Sequence, residues 1–287
     1  MKIAVTAATS QLGGLVVQTL LARGVPASDI IAVARNPEKA APLAAQGVTV
    51  RQADYNDSEA LVQALAGVER VLLVSGLEAN RAEQHRNVIE AARGAGVGFI
   101  AYTSILNADS SSLILAVDHR ATEAAIRDSG LPFAFLRNGW YLENYTGDLE
   151  GTLERGAVLG SAGEGRLSAA ARADYAEAAA AVLVGDGHEN KVYELGGDES
   201  FTMPEFAAEL AKQSDREVVY RDLPATDYTQ ALVGAGVPEG YAAILADSDR
   251  GLAAGELFTE SRDLSHLLGR PTQALAQVVA SSLRQRV

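Results

Sequence analysis

Met1-Lys2-Ile3-Ala4-Val5-Thr6-Ala7-Ala8-Thr9-Ser10-Gln11-Leu12-Gly13-Gly14-Leu15-Val16-Val17-Gln18-Thr19-Leu20 is the stretch on which the architecture turns. A short β-branched run ends at Thr6, and a loop of small residues follows. Leu12, Leu15, Val16, Thr19 and Leu20 then recur at the i, i+3, i+4, i+7 and i+8 spacing of a helix with one apolar stripe. Gly24 stands where a helix C-terminus favours left-handed backbone. Strand, tight loop and helix make the first half of a βαβ unit.

Working outward, the same rhythm repeats to about residue 140. Expected strands are Lys2–Thr6, Ile30–Ala34, Val48–Gln52, Arg70–Val74, Phe99–Thr103 and Phe133–Leu136. Most are apolar almost without interruption, as parallel strands covered on both faces must be. Helices are expected over Pro37–Gln46, Ser58–Leu65, Arg81–Ala95 and Val117–Ser129, the last stopped by Gly130 and Pro132. Beyond Trp140 the glycines at 151, 156, 160, 163 and 165 break the pattern, which returns with a helix at Asp174–Val184 and a strand at Lys191–Leu195. From Pro204 onward helical segments surround one strand, Glu217–Arg221. The expected fold is α/β, a doubly wound parallel sheet of the Rossmann type with a smaller C-terminal α/β lobe. The dinucleotide-binding domain would take residues 1–140 and roughly 173–200. The lobe would take roughly 141–172 and 201–287, with the site where the two meet.

Composition narrows the function. The chain has 287 residues, no cysteine, and four scattered histidines without ligand spacing, so a metal site is not expected. Against 24 basic residues stand 37 acidic ones, a formal charge of −13 that repels nucleic acid and anionic membranes. No run reaches the ~18 apolar residues of a membrane span, and the strand-like start lacks a leader pattern, so a cytoplasmic location is expected. Nothing in the residues reads out an oligomeric state.

The loop after the first strand is built for an anion. Small residues let a pyrophosphate come close, and the helix start offers free N–H groups and partial positive charge. Thr9, Ser10, Gln11, Leu12 and Gly13 are the expected contacts. Of the Gly-x-x-Gly-x-x-Gly spacing at positions 7, 10 and 13, Gly13 alone is present; Ala7 crowds the turn if its φ is positive, whereas the Ser10 hydroxyl can donate to a phosphate. An ordinary βα turn of small residues would read alike. At the end of the second strand, Ala34-Arg35-Asn36, with Lys39 one turn on, carries a cation where NAD-binding chains place an acid. Arg35 suits a 2′-phosphate and hence NADPH, with NADH possible; a solvated arginine is the alternative.

With these residues, Val50-Arg51-Gln52-Ala53-Asp54-Tyr55, Gln84-His85-Arg86-Asn87-Val88, Phe99-Ile100-Ala101-Tyr102-Thr103-Ser104, Leu136-Arg137-Asn138-Gly139-Trp140-Tyr141 and Ala246-Asp247-Ser248-Asp249 complete a pattern. Nearly end to end, the chain resembles the bacterial type 2 NAD(P)H:quinone oxidoreductases, which are NmrA-like, atypical short-chain dehydrogenases. It is similar, more loosely, to triphenylmethane reductases. The resemblance implies hydride transfer from NADPH, without flavin or metal, to a quinone or a similar planar acceptor. Ala7 and Ser10 depart from the family's glycines.

The Tyr-x-x-x-Lys pair of ordinary short-chain dehydrogenases is missing, with Leu115 and His119 at those positions. A quinone is electrophilic enough that alignment matters more than a dedicated acid. His119 is the candidate proton donor, or merely a neighbour's hydrogen-bond partner. Ser104, at the end of the fifth strand, is placed to touch the nicotinamide side, or is a plain strand-end serine. Ser75, directly after the fourth strand, Asn138 and Gly139 join the expected cofactor contacts. Trp140, Tyr141 and Tyr145 can wall a flat acceptor or pack the lobe. Arg172 resembles a cleft-facing family position, or is a surface charge. His85, His188 and His266 read as structural or solvated. Two other functions stay open, a non-catalytic NmrA-like redox sensor and an enzyme that has lost its dinucleotide.

Overall fold

Strands that are apolar at every position are stable only between two layers of helices, and the computed structural model, which describes residues 1–284, arranges them so. The first of two compact units comprises Met1–Ile105, Asp118–Asn138 and Arg172–Tyr193. In chain order it runs through β1 (Ile3–Val5), α1 (Gln11–Ala22), β2 (Ile30–Ala34), α2 (Ala41–Ala44), β3 (Thr49–Gln52), α3 (Ser58–Ala64) and β4 (Arg70–Leu73). It continues through α4 (Arg81–Gly94), β5 (Phe99–Ile105), α5 (Ile114–Ser129) and β6 (Phe133–Asn138). The sheet order is β3-β2-β1-β4-β5-β6, with a seventh strand beside β6, and the pairings among the first six are all parallel. The order reverses between β1 and β4, which is where a doubly wound sheet opens a crevice at its carboxyl edge.

Both pleats of the central strands are buried. Ala4, Ile31, Val33, Val71, Leu73, Ile100, Tyr102 and Phe135 pack against Leu61 of α3, Leu65 just after it, Val88 and Ile89 of α4, and Ile126 of α5. The alternate residues Ile3, Val5, Ile30, Ala32, Leu72 and Ala101 are equally buried. They face the other side, where α1 packs against a later helix, Arg172–Val184.

The second unit comprises Leu106–Val117, Gly139–Ala171 and the chain from Glu194 onward. It holds α6 (Glu143–Thr146), α7 (Leu149–Arg155), β7 (Ala157–Gly160) and β8 (Arg166–Leu167). After α8 (Arg172–Val184) and β9 (Lys191–Leu195) come β10 (Phe201–Thr202), α9 (Met203–Ser214), β11 (Val219–Asp222) and α10 (Ala225–Gly234). The order closes with α11 (Glu239–Ala253), α12 (Asp263–Leu268) and α13 (Leu275–Arg284). It has two small sheets, β7 with β11 in parallel and β8 with β10 antiparallel.

Several local expectations need correction. Leu15 is 37% exposed while Val17 is buried, so the α1 stripe is Leu12, Gly13, Val16, Val17 and Leu20. The expected helix over Pro37–Gln46 is a 3₁₀ turn, Pro37–Ala40, followed by one α-turn. Pro37 and Pro42 each remove a backbone donor, and Gly47 ends the segment at φ +88°. α5 starts at Ile114, not Val117, and α8 at Arg172, not Asp174.

Candidate functional site

The loop between β1 and α1 makes one tight turn. Ser10 N–H donates to Ala7 O at 2.8 Å, and Ala8 N–H reaches Val33 O at 3.1 Å. Ala7 has φ +45°, the left-handed region in which an L side chain is strained by roughly 1–2 kcal/mol. Ser10 caps α1, its Oγ accepting the Gly13 N–H at 3.1 Å. That leaves the hydroxyl hydrogen of Ser10 and the N–H groups of Gln11 and Leu12 without an intrahelical partner. A Cβ at Gly13 would stand 2.3 Å from Ala7 O, so only glycine lets the helix lie this close to the loop. Of the three positions in the glycine spacing, the one occupied by glycine is the one at which a Cβ would collide with backbone.

A cavity of about 610 Å³ opens beside this turn at the carboxyl ends of the strands. Ala7, Thr9 and Ser10 line it after β1, Val33 within β2, Arg35 and Lys39 after β2, and Asp54 and Tyr55 after β3. The segment from Val74 to Glu78 after β4, with Gln84 of α4, completes the wall. Tyr55 is a strut: its hydroxyl donates to Val74 O at 2.9 Å and makes a short hydrogen bond with Thr6 Oγ1, which also accepts the Val74 N–H. Burial pushes that phenol well above its ordinary range, so it stays neutral. Ser75 N–H donates to Thr103 Oγ1 at 2.8 Å. Gly76 N–H donates to His85 Nε2 at 3.2 Å, which places the proton of that ring on Nδ1, 2.9 Å from Thr122 Oγ1.

Arg35 stands on the rim, 71% exposed, with Glu78 at 3.5 Å and Asp54 at 3.9 Å. Exposed ion pairs of this kind are worth well under about 1 kcal/mol. A bound phosphate can therefore take over the guanidinium at little cost.

Thr9, Ser10, Arg35 and Ser75 are thus brought together around one cavity. Gln11 and Gly13 belong to the same turn without lining it, and the Leu12 side chain is buried in the core. Ser104 and His119 are placed otherwise. Ser104 Oγ donates to Glu123 Oε1 at 2.6 Å, and Glu123 is gripped by Arg137 through Nε at 2.9 Å and a terminal nitrogen at 2.8 Å. The hydroxyl proton of Ser104 is spent inside the core. His119 is buried, and its Nδ1 shares a 2.8 Å hydrogen bond with the Tyr102 hydroxyl. Burial first, then the Arg81 charge and His85, push His119 down to about 3. This corrects the expectation that it donates a proton near neutral pH: it is a neutral core group. Asn138 is buried at the end of β6 with its Oδ1 unpartnered. Arg172 opens α8, half-buried.

Gly139, Trp140, Tyr141 and Tyr145 lie in the second unit. There Trp140 O accepts the Ala170 N–H at 3.1 Å, and Tyr141 forms an isolated bridge with Ala170. Tyr145 packs its ring on Phe206 at 5.6 Å and takes a hydrogen bond from the Trp140 side chain. All four are half-buried.

Sequence reasoning missed Asp54, Tyr55, Glu78 and Gln84 as wall residues. The first three follow β3 and β4 directly, and the rule that ligands collect at carboxyl ends of strands would have found them. Gln84 sits on a helix and carried no spacing signal.

Comparison with known proteins agrees with this geometry. Residues 7–185 match the family described as NAD(P)H-binding. Quinone oxidoreductase 2 of Escherichia coli is 54% identical over 279 residues, 97% of each chain. The crystal structure of an NADPH-dependent quinone oxidoreductase from Escherichia coli, complexed with NADPH, superposes with a TM-score of 0.95 at 53% identity, covering 98% of this chain and 99% of that one. A Citrobacter sp. triphenylmethane reductase complexed with NADP(H) superposes at 0.94 with 44% identity, over 98% of this chain and 100% of that one.

Proposed function

This chain belongs to the NAD(P)H-binding family, and from that membership we propose that it is an NADPH-dependent reductase that passes a hydride to a quinone or a similar planar electrophilic acceptor. The observation that carries the reading is the cavity in which the α1 turn, Ser10 and Arg35 meet. Similarity to the Escherichia coli quinone oxidoreductase supports the acceptor class.

The residues present fit the dinucleotide on three counts. Gly13 keeps α1 close enough for its free N–H groups to meet a pyrophosphate, and a methyl there would close the approach. Arg35, with Lys39 on the same wall, offers cations to a 2′-phosphate. Asn138 Oδ1 is a buried acceptor in need of a donor, which a carboxamide supplies. When bound, the reduced nicotinamide supplies the hydride. The chain's own residues bind and orient. Thr9, Ser10, Gln11 and Leu12 would hold phosphate oxygens, Ser75 and Gly139 would be further contacts to the carrier, and Arg172 would attract an anionic oxygen. Trp140, Tyr141 and Tyr145 would be the aromatic contacts to the acceptor ring. Neither Leu115 nor neutral His119 reproduces the proton donor of ordinary short-chain dehydrogenases, so orientation is asked to supply most of the rate. Among the described residues no helix is long and apolar enough to cross a membrane, and a cytoplasmic location is part of the proposal.

The test mixes the protein with NADPH and a benzoquinone and follows loss of the reduced-nicotinamide absorbance, with Arg35→Ala in parallel. Acceptor-dependent oxidation, weakened in the variant, is expected. Tight NADPH binding without turnover on any quinone would point to a sensor.

A further inference from the structure

Gln84 sits in the first turn of α4, is 3% exposed, and lines the cavity. Its Oε1 is buried and accepts no hydrogen bond. A buried carbonyl oxygen without a donor is costly, whereas an apolar side chain of the same shape would fill the space without that penalty. The oxygen lies against Gly76, 3.9 Å from where a Cβ on that residue would stand.

Three backbone donors beside it are already committed. Gly76 N–H goes to His85, Ser75 N–H to Thr103 at 2.8 Å, and Arg81 N–H to Glu78 O at 3.1 Å. The nearby Glu78 carboxylate is itself an acceptor. Nor can the helix turn to find a partner. Arg81 Nε donates to Asp118 at 2.7 Å, Asn80 Nδ2 to Asn56 at 2.9 Å, and Asn87 Nδ2 to the Tyr55 carbonyl at 2.9 Å. A rigidly held, desolvated acceptor in a cavity wall is the arrangement of a binding group.

We propose that the Gln84 carboxamide binds the dinucleotide, its Oε1 accepting a hydrogen bond from an N–H or O–H donor of the ligand, either the adenine amino group or a ribose hydroxyl. This rests on the dinucleotide reading of the cavity. It goes beyond the turn and the cation, which recognise phosphate, by adding a contact to a neutral part of the ligand.

Gln84→Met tests it, because it keeps the volume and removes the acceptor. Calorimetric titration of the full chain with NADPH is compared with thermal unfolding of the ligand-free protein. Expected is a Kd raised about tenfold, equivalent to about 1.4 kcal/mol, together with a midpoint that holds or rises because the orphaned oxygen is gone. A Kd within twofold of the parent overturns the proposal. So does a loss of affinity accompanied by a midpoint several degrees lower, which would mark a structural role. If the parent binds neither NADPH nor NADH, the cavity reading itself fails and this contact with it, a result distinct from a parent that binds and a variant that binds equally. The hypoxanthine analogue of NADPH separates the two donors. A parent that discriminates against it and a variant that does not assigns the contact to the adenine amino group. A parent indifferent to it, with a variant weaker on both, assigns the contact to a ribose hydroxyl.

Discussion

Replacing Gly13 by alanine probes the contact on which the proposed cofactor site stands. The added Cβ would lie 2.3 Å from Ala7 O and 3.1 Å from Ala8 Cα, where real Cβ atoms essentially never come under 3.0 Å. The closer neighbour is therefore 0.7 Å too near, and it is backbone, which has no rotamer by which to move away. Overpacking of this kind costs about 1–3 kcal/mol, and the upper part of that range applies to a clash with main chain. Alanine's better helix propensity returns about 1 kcal/mol, so a net loss of about 1–2 kcal/mol is expected. For 287 residues the unfolding entropy is about 0.6 kcal/mol/K, at ~2.1 cal/mol/K per residue, which translates to a midpoint lower by about 2–3 °C. The larger effect is on binding, since relief requires α1 to back away from the turn or Ala7 to swing into the cavity. NADPH affinity should fall at least about tenfold, a change of about 1.4 kcal/mol. Scanning calorimetry reads the first quantity and titration calorimetry the second. A variant with unchanged midpoint and unchanged affinity would refute both the close approach and the use of this turn for phosphate.

Ala7→Gly should act in the opposite sense, relieving the strain at φ +45° for a net stabilisation of up to about 1 kcal/mol after the glycine's unfolded-state entropy, with NADPH binding equal or tighter; weaker binding would show the alanine turn to be adapted. Arg35→Ala should raise the Kd for NADPH by about one to two decades and leave NADH nearly unchanged, as parallel titrations will show. Burial, opposed in part by the Ser161 N–H, pushes the Asp249 carboxyl up to about 6. Its contribution to stability is full below the unfolded value near 3.9 and is lost as pH rises through about 6, on the order of 3 kcal/mol by pH 8. Asp249→Asn should therefore stabilise the protein at pH 8 and not at pH 4, read from denaturant midpoints. His85 and His119 are lowered to about 4 and about 3 by burial. Both favour the fold above pH 6.5 and oppose it increasingly as pH falls from there, by up to about 1.4 kcal/mol per unit each; His85→Gln should flatten that acid limb.

The alternation of strands and helices was legible because burial between two helical layers demands a composition few other contexts need. Ile30–Ala34 and Phe99–Ile105 are apolar throughout for that reason. Arg35 was legible too, since a cation at the tip of the second strand has an electrostatic consequence whatever its exact neighbours. The turn was half legible: a missing glycine at 7 raised the question of a positive φ, and the structure answered it. For Ser104 and His119 the spacing left two readings open, and only the fold showed which groups they bond. Each lies at a position chemistry favours, yet Glu123 and Tyr102 engage them from elsewhere in the chain.

By itself, then, the sequence determined the sheet, the tight turn between β1 and α1 and the sign of the charge beside it, all of which follow from local spacing and side-chain type. Tertiary structure alone decided that Gly13 is sterically indispensable, that two histidines are neutral, and that Gln84 faces the cavity with an unsatisfied oxygen. These properties depend on which atoms desolvate or collide with one another across tens of residues, and spacing along a chain carries no record of that.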